Sequence, residues 1–264
     1  MHRLAAVHQE MFGGRAVSAA SPQGRFAEGA SRVDGRVLTE AEAHGKHLLL
    51  GFDNDLVLHV HLGIYGAWSL GPPPPPAPTG AVRLRLTADT GYADLRGPNV
   101  CELLEPGEVK ALRGRLGPDP LRADADPELA WRRIQRSRTP IAVLLLDQAV
   151  VSGPGNIYRA EVLFRAGIHP LRPGRELTRQ QWEAIWADLV ALMAEGVRTG
   201  RIDTVRPEHT PEAMGRPPRV DEHGGEVYVY RRAGQPCLVC AAEVMTSQLA
   251  GRNLFWCPGC QPAG

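Results

Sequence analysis

Four of the five cysteines stand as two close pairs, Cys237-Leu-Val-Cys240 and Cys257-Pro-Gly-Cys260, with sixteen residues between the pairs. Two such knuckles bring four thiolates to the corners of a tetrahedron while the intervening chain returns as a hairpin, which suits a structural zinc site. One Zn2+ held by Cys237, Cys240, Cys257 and Cys260 is therefore expected, with another metal or redox pairs as the alternative. A closed four-sulfur shell leaves no position for water or substrate, so the ion would hold shape and do no chemistry. Cys101 stands alone and reads as a small buried or half-buried side chain.

Other side chains invite a functional reading and a plain one at once. Lys46, in His44-Gly45-Lys46-His47 before Leu48-Leu49-Leu50, suits a proton donor or a phosphate contact, or merely solubilises a strand end. His59 and His61 share one strand face, which would allow metal ligation, but no third ligand nearby completes a set; hydrogen-bonded histidines are expected. Asn156 follows Gly153-Pro-Gly155 at the entry to a helix, where free amides can bind an anion, or where asparagine simply caps an interhelical turn. Arg252 falls five residues before Cys257, at an expected hairpin tip; its guanidinium fits a phosphate or is an ordinary solvated turn residue.

These residues need elements to hold them. Leu4, Val7 and Met11 predict an opening helix, ended by Gly13 and Gly14. Strands are predicted over residues 16–20, 33–43, 47–52, 56–62 and 82–87, from branched residues and alternation. Five consecutive prolines in GPPPPPAPTG remove ladder donors, so residues 71–80 form a surface connection. From about Asp126 the pattern turns helical, over 127–137, 141–148, 157–166 and 179–197, the last carrying an apolar stripe from Trp182 to Met193. Residues 199–226 are read as a loop, and 227–230 as a short strand leading into the cysteine module. The outcome is a multidomain α+β chain: a β-rich domain over 1–118, a helical domain over 119–212 and a zinc finger over 227–261.

With 264 residues and 43% hydrophobic content, the chain is long enough for more than one core, and disorder is not the default. The longest apolar run is too short for a bilayer and no signal-peptide pattern opens the sequence, so a soluble intracellular protein without a membrane partner is expected. The net charge of +1 does not announce nucleic acid, although Arg132, Arg133, Arg136 and Arg138 cluster, as do Arg231 and Arg232.

Together, GKHLLL, HVHLGIYGAW, DLRGPN, LLLDQAVVSGPGNIYRAEVLF and C-x2-C…GRNLFWCPGCQ, in this order along nearly the whole chain, resemble the formamidopyrimidine-DNA glycosylase/endonuclease VIII family, and most closely its endonuclease VIII-like members of actinobacteria. The resemblance implies a β-sandwich-like N-terminal domain, a helix-two-turn-helix domain and a zinc finger, acting as a monomer on damaged double-stranded DNA. It implies base-excision repair in a bacterial cytoplasm: a DNA glycosylase with AP lyase (β/δ-elimination) activity on oxidised pyrimidines and abasic sites, with the damaged nucleotide flipped into a pocket.

By position in these motifs, Lys46 matches the lysine that contacts phosphate and assists proton transfer, and Asn156 and Arg252 match the pair that grips phosphates flanking the lesion. Gly63, Ile64 and Tyr65 match the wedge that fills the vacated stack. Arg96 matches a residue near the unpaired partner base; the family's following aromatic is missing from Gly97-Pro98-Asn99. The family reaction starts from an N-terminal proline amine attacking C1′ with help from the adjacent glutamate, giving a Schiff base. Those two residues precede the stretch where this sequence begins, Met1-His2-Arg3. Three expectations follow: an enzyme whose start lies a few residues upstream, a shortened non-catalytic protein that binds lesions and abasic sites, or a zinc-stabilised scaffold or transcription-linked protein.

Overall fold

A computed structural model describes residues 1–220 and 225–263. The chain divides into two units, Met1–Arg115 and Leu116–Gly264.

The first unit opens with α1 (His2–Phe12), which buries Ala5, His8 and Phe12. The buried stripe is thus centred on His8, one step round from Leu4, Val7 and Met11, which are half-buried. After β1 (Ala16–Ala20) comes a short helix that sequence reading missed, α2 (Ala27–Val33). The predicted strand at 33–43 starts later for that reason, as β2 (Arg36–His44). Then follow β3 (His47–Phe52), β4 (Val57–His61), β5 (Ala67–Gly71), β6 (Val82–Ala88), β7 (Gly91–Arg96), β8 (Val100–Leu104) and α3 (Pro106–Arg115). The proline run stays exposed and outside any ladder.

The strands run in the order β5-β7-β6-β1-β2-β3-β4-β8. β1 pairs with β2 at only Ala16↔Val37 and Val17↔Arg36, and its remaining residues pair with β6. It therefore joins two layers, whose inner faces meet in one core containing Val17, Leu48, Leu50, Leu58, Val60, Leu84, Leu86 and Leu95. This is a β-sandwich with alternating inward residues. Cys101 packs on that core, and burial raises its thiol pKa to about 12. On the outer face of β3, β4 and β8, Leu49, Leu104, Val109 and Leu112 form a second cluster that seats α3.

The second unit is helical: α4 (Pro127–Ile134), α5 (Ile141–Leu144), α6 (Asn156–Arg165), α7 (Arg179–Thr199) and α8 (Pro211–Met214), then the hairpin of β9 (Met245–Leu249) and β10 (Arg252–Trp256). The apolar stripe read over 179–197 is α7, whose ends the structure shows capped. Thr178 and Gln181 form a reciprocal capping box, and Gly200, at φ +75°, closes the C-terminus. Trp182, Ile185, Leu189 and Met193 are its buried stripe.

The strand predicted at 227–230 is absent. Its residues are buried, but the backbone donors of the last three go to one carboxylate. Oε2 of the buried Glu161 accepts from Tyr228 N at 2.7 Å, and Oε1 accepts from Val229 N and Tyr230 N at 2.9 Å each. A buried acceptor that satisfies consecutive amides removes the need for a partner strand. Part of the predicted 199–226 loop, residues 221–224, lies outside the described residues; within the rest, α8 interrupts it.

Candidate nucleic-acid interface

Lys46 stands at the tip of the β2–β3 hairpin. His44 pairs with His47, leaving Gly45-Lys46 as a two-residue turn, and Gly45 has φ +57°. Glycine at the first central position is what a type II′ hairpin turn requires, so Gly45 sets how the lysine is presented. The same strands gather a polar group on the outer face: His47 lies opposite His61, and His59 opposite Glu102. Nδ1 of His47 is 2.8 Å from Nε2 of His59, and Nδ1 of His59 is 2.9 Å from Oε1 of Glu102. Burial, then the charges of His59, His61, His44 and Arg115, lowers His47 to about 4. Burial, then His59 and Lys46, lowers His61. The expectation of a hydrogen-bonded histidine holds for His59, whose partner His47 comes from a neighbouring strand; His61 makes a ring contact with His47.

Beyond β4 the chain turns through Gly63-Ile64-Tyr65. Gly63 has φ +69°, and a Cβ there would lie 2.3 Å from Cγ of Asn99, so both backbone and neighbour demand glycine. Gly66 N donates to Leu62 O at 3.0 Å, and Asn99 N to His61 O at 2.9 Å. This braced turn holds out two apolar side chains, Ile64 at 78% exposure and Tyr65 at 87%. Large exposed apolar groups on a tight turn signal a contact surface. Arg96, at the end of β7, donates to Ser69 Oγ, Thr79 O and Asp94 Oδ2 at 3.1, 3.2 and 3.1 Å.

In the second unit, Asn156 is the first residue of α6, behind Gly153 at φ +104°. The side chain of Gln148 holds the turn: its Oε1 accepts from Gly153 N at 2.8 Å and its Nε2 donates to Pro154 O at 3.3 Å. Asn156 Nδ2 donates to Asn253 O at 2.9 Å, and the buried Arg159 Nη2 donates to the same carbonyl at 2.8 Å and also contacts Asn156 Oδ1. Arg252 is exposed and precedes Asn253, beyond a turn in which Ala250 and Gly251 both have positive φ, 49° and 72°. Burial, then the charge of Arg252, lowers Arg159 to about 10. An asparagine, the half-buried first turn of α6 and two guanidinium groups thus lie together, the residue types that anion sites use.

The four cysteine sulfurs all lie within 4.8 Å of one another. The pairs Cys240–Cys257 and Cys237–Cys260 are 3.4 and 3.8 Å apart, close to the ~3.8 Å edge of a tetrahedron with Zn–S bonds of about 2.3 Å. The donor set therefore fits a tetrahedral metal such as zinc. The module is anchored beyond itself, because Gln261 Nε2 donates to Ile168 O at 2.9 Å while its Oε1 accepts from Cys257 N at 3.0 Å. Among the described residues, no helix is long and apolar enough to cross a membrane.

Comparison with known proteins gives these positions a frame. Residues 2–100 match the formamidopyrimidine-DNA glycosylase N-terminal domain, and residues 116–207 match the formamidopyrimidine-DNA glycosylase H2TH domain. The chain belongs to the formamidopyrimidine-DNA glycosylase family. It is 50% identical over 268 residues to endonuclease 8 1 of Mycobacterium tuberculosis and to that of Mycobacterium bovis, covering 99% of this chain and 97% of each relative. It is 34% identical over 239 residues to the formamidopyrimidine-DNA glycosylase of Rhodospirillum rubrum, covering 86% of this chain and 83% of that one. Its fold matches the crystal structure of the MutM (Fpg) protein of Thermus thermophilus, with a TM-score of 0.77 and 27% identity over 99% of this chain and 97% of that chain. It also matches the fold of a Lactococcus lactis Fpg mutant in complex with a Fapy-dG-containing DNA, with a TM-score of 0.77 and 22% identity over 99% and 97% of the two chains.

Within this glycosylase family, the structure gathers Asn156 and the Arg252 strand in one unit, and puts Lys46 and the Ile64-Tyr65 turn in the other. Arg96 is held by three acceptors of its own unit. Sequence reading missed Arg159 and Asn253, which join α6 to β10, and also Glu102. The alternation of His59 and His61 pointed at their face; the strand register supplied the rest.

Proposed function

We propose that this chain is a base-excision repair DNA glycosylase with AP lyase activity, acting on oxidised pyrimidines and abasic sites in duplex DNA as a monomer. Identity of 50% to mycobacterial endonuclease 8 1 over nearly the whole of both chains carries the reading. The comparisons lend nothing to the non-catalytic alternative.

The two units divide the work by residue type. Asn156 and Arg252 grip backbone phosphates: an amide and an exposed guanidinium give orientation without reading sequence. Arg159 holds Asn156 and the Asn253 carbonyl in register for that grip. Ile64 and Tyr65 enter the base stack on the turn fixed by Gly63, and Arg96 lies by the partner base. Lys46 contacts the phosphate and supplies a proton near the lesion, which a mobile ammonium can do and a guanidinium cannot. Cys237, Cys240, Cys257 and Cys260 hold one structural Zn2+, which shapes the finger and takes no part in bond breaking. Residues 1–118, 119–212 and 227–261 serve as strand-rich, helix-two-turn-helix and finger domains.

Borohydride trapping on a duplex with one abasic site tests the reading, using this chain and the same chain preceded by a Met-Pro-Glu-containing segment. A covalent adduct and strand cleavage with the proline-bearing protein are expected. No adduct and no cleavage from either protein rejects the activity.

A further inference from the structure

We infer that His47 is a proton-transfer group beside the Lys46 hairpin, and that His59 and Glu102 are the residues that position it. The inference rests on the glycosylase/lyase reading given above. Its basis is the unbroken line Glu102 Oε1, His59 Nδ1, His59 Nε2, His47 Nδ1, with contacts of 2.9 and 2.8 Å.

The line has only one consistent proton assignment while the residues at its head and middle are a carboxylate and a neutral imidazole. A carboxylate accepts and does not donate, so His59 carries its proton on Nδ1. Its Nε2 then accepts, which puts the His47 proton on Nδ1 and leaves Nε2 of His47 with a bare lone pair. His47 is half-buried, and its Nε2 has no hydrogen-bond partner among the described residues. A base whose outer nitrogen is open, whose inner nitrogen is held by a second group and whose second group is oriented by a carboxylate is the arrangement that proton-transfer sites use.

A proton arriving at Nε2 makes His47 an imidazolium. Transfer of its Nδ1 proton to His59 Nε2, and of the His59 Nδ1 proton to Glu102, returns both rings to neutrality in the opposite tautomer. The proton then sits on a carboxyl group whose side chain is 52% exposed and can exchange with water. Reversal delivers a proton outward to Nε2. Lys46 follows His44 and Gly45 on the adjoining hairpin, and a lysine that gives up a proton in each turnover must regain one. The groups facing His47 favour passage over storage. His44 on β2, His61 on β4 and Arg115 at the end of α3 all raise the cost of a resident positive charge, and Glu42 on β2 is engaged by Arg113. The low pKa of His47 keeps its lone pair available at neutral pH.

Nitrogen-15 NMR of the histidines in the full chain reads the relay directly, and abasic-duplex kinetics of the proline-bearing protein and its variants read its use. His47 is expected as the Nδ1–H tautomer in the wild type. Glu102→Gln, which presents an amide donor to His59, should shift it towards Nε2–H. Glu102→Gln and His59→Asn should lower kcat about tenfold or more, and His47→Gln about a hundredfold, with duplex affinity and Tm held and the acid limb of the kcat profile displaced. A wild-type His47 in the Nε2–H form overturns the relay. Folded variants with unchanged kcat and pH profile overturn its role in turnover. A proline-bearing protein without turnover, but with His47 in the Nδ1–H form, rejects the functional reading and leaves the relay standing.

Discussion

Asn156 and Asn253 are 97 positions apart, yet Asn156 Nδ2 donates to the Asn253 carbonyl at 2.9 Å. The bond ties the start of α6 to the strand that begins with Arg252. It makes the glycine-framed asparagine and the finger arginine parts of one surface, and Arg159 seals the junction by donating to the same carbonyl at 2.8 Å.

Arg252→Ala and Asn156→Ala should each weaken duplex binding alike for every sequence. Arg252→Ala should also reduce the salt slope of log K by about one, as loss of a single phosphate contact does. Fluorescence anisotropy across a salt series checks this. An unchanged slope for Arg252→Ala removes it from the phosphate grip.

Truncating the wedge separates base removal from binding. Ile64→Ala with Tyr65→Ala should cost excision of an oxidised pyrimidine by about 1–3 kcal/mol, the worth of an aromatic stack on a base, and should spare strand cleavage at a preformed abasic site. Both side chains are largely exposed, so the melting temperature should hold. Equal loss on both substrates argues against a role in eversion.

The metal site makes a stability prediction. A strong chelator, or Cys257→Ser, should remove one zinc per chain, lower the Tm and abolish duplex binding, because a module this small folds around its ion. Metal analysis alongside calorimetry tests it, and full binding by metal-free protein would contradict it.

His8 predicts acid sensitivity. It is fully buried, and burial, opposed by its bond to Leu4 O, lowers its pKa from 6.5 to about 4. Between those values the unfolded chain takes up a proton that the folded chain refuses. Stability is therefore complete above about 6.5 and falls as the pH drops towards about 4, by roughly 3 kcal/mol for this group. Urea midpoints measured from pH 7 to pH 4 should show this loss, and His8→Gln should flatten it.

Glu161→Gln replaces a buried acceptor of three backbone amides with a group that has one acceptor oxygen and brings two donors of its own. The expected loss is about 3 kcal/mol, read from the denaturant midpoint. A neutral result would mean that residues 227–230 find other acceptors.

Local chemistry settled much of this protein in the sequence. Cysteine spacing announced the four-sulfur cluster, alternation announced most strands of the sandwich, and an apolar stripe marked α7, because each of these is a property of neighbouring residues. The ordered motifs carried the family and, with it, the candidates Lys46, Asn156 and Arg252. What only the tertiary structure decided is long-range pairing: the β3–β4–β8 register that aligns His47 and His59 with Glu102, the Asn253 carbonyl shared by Asn156 and Arg159, and Glu161 in place of a strand for residues 227–230. Each joins groups whose attraction depends on ångström separations between distant segments. Those separations arise from burial of the whole core, which residue order along the chain does not encode position by position.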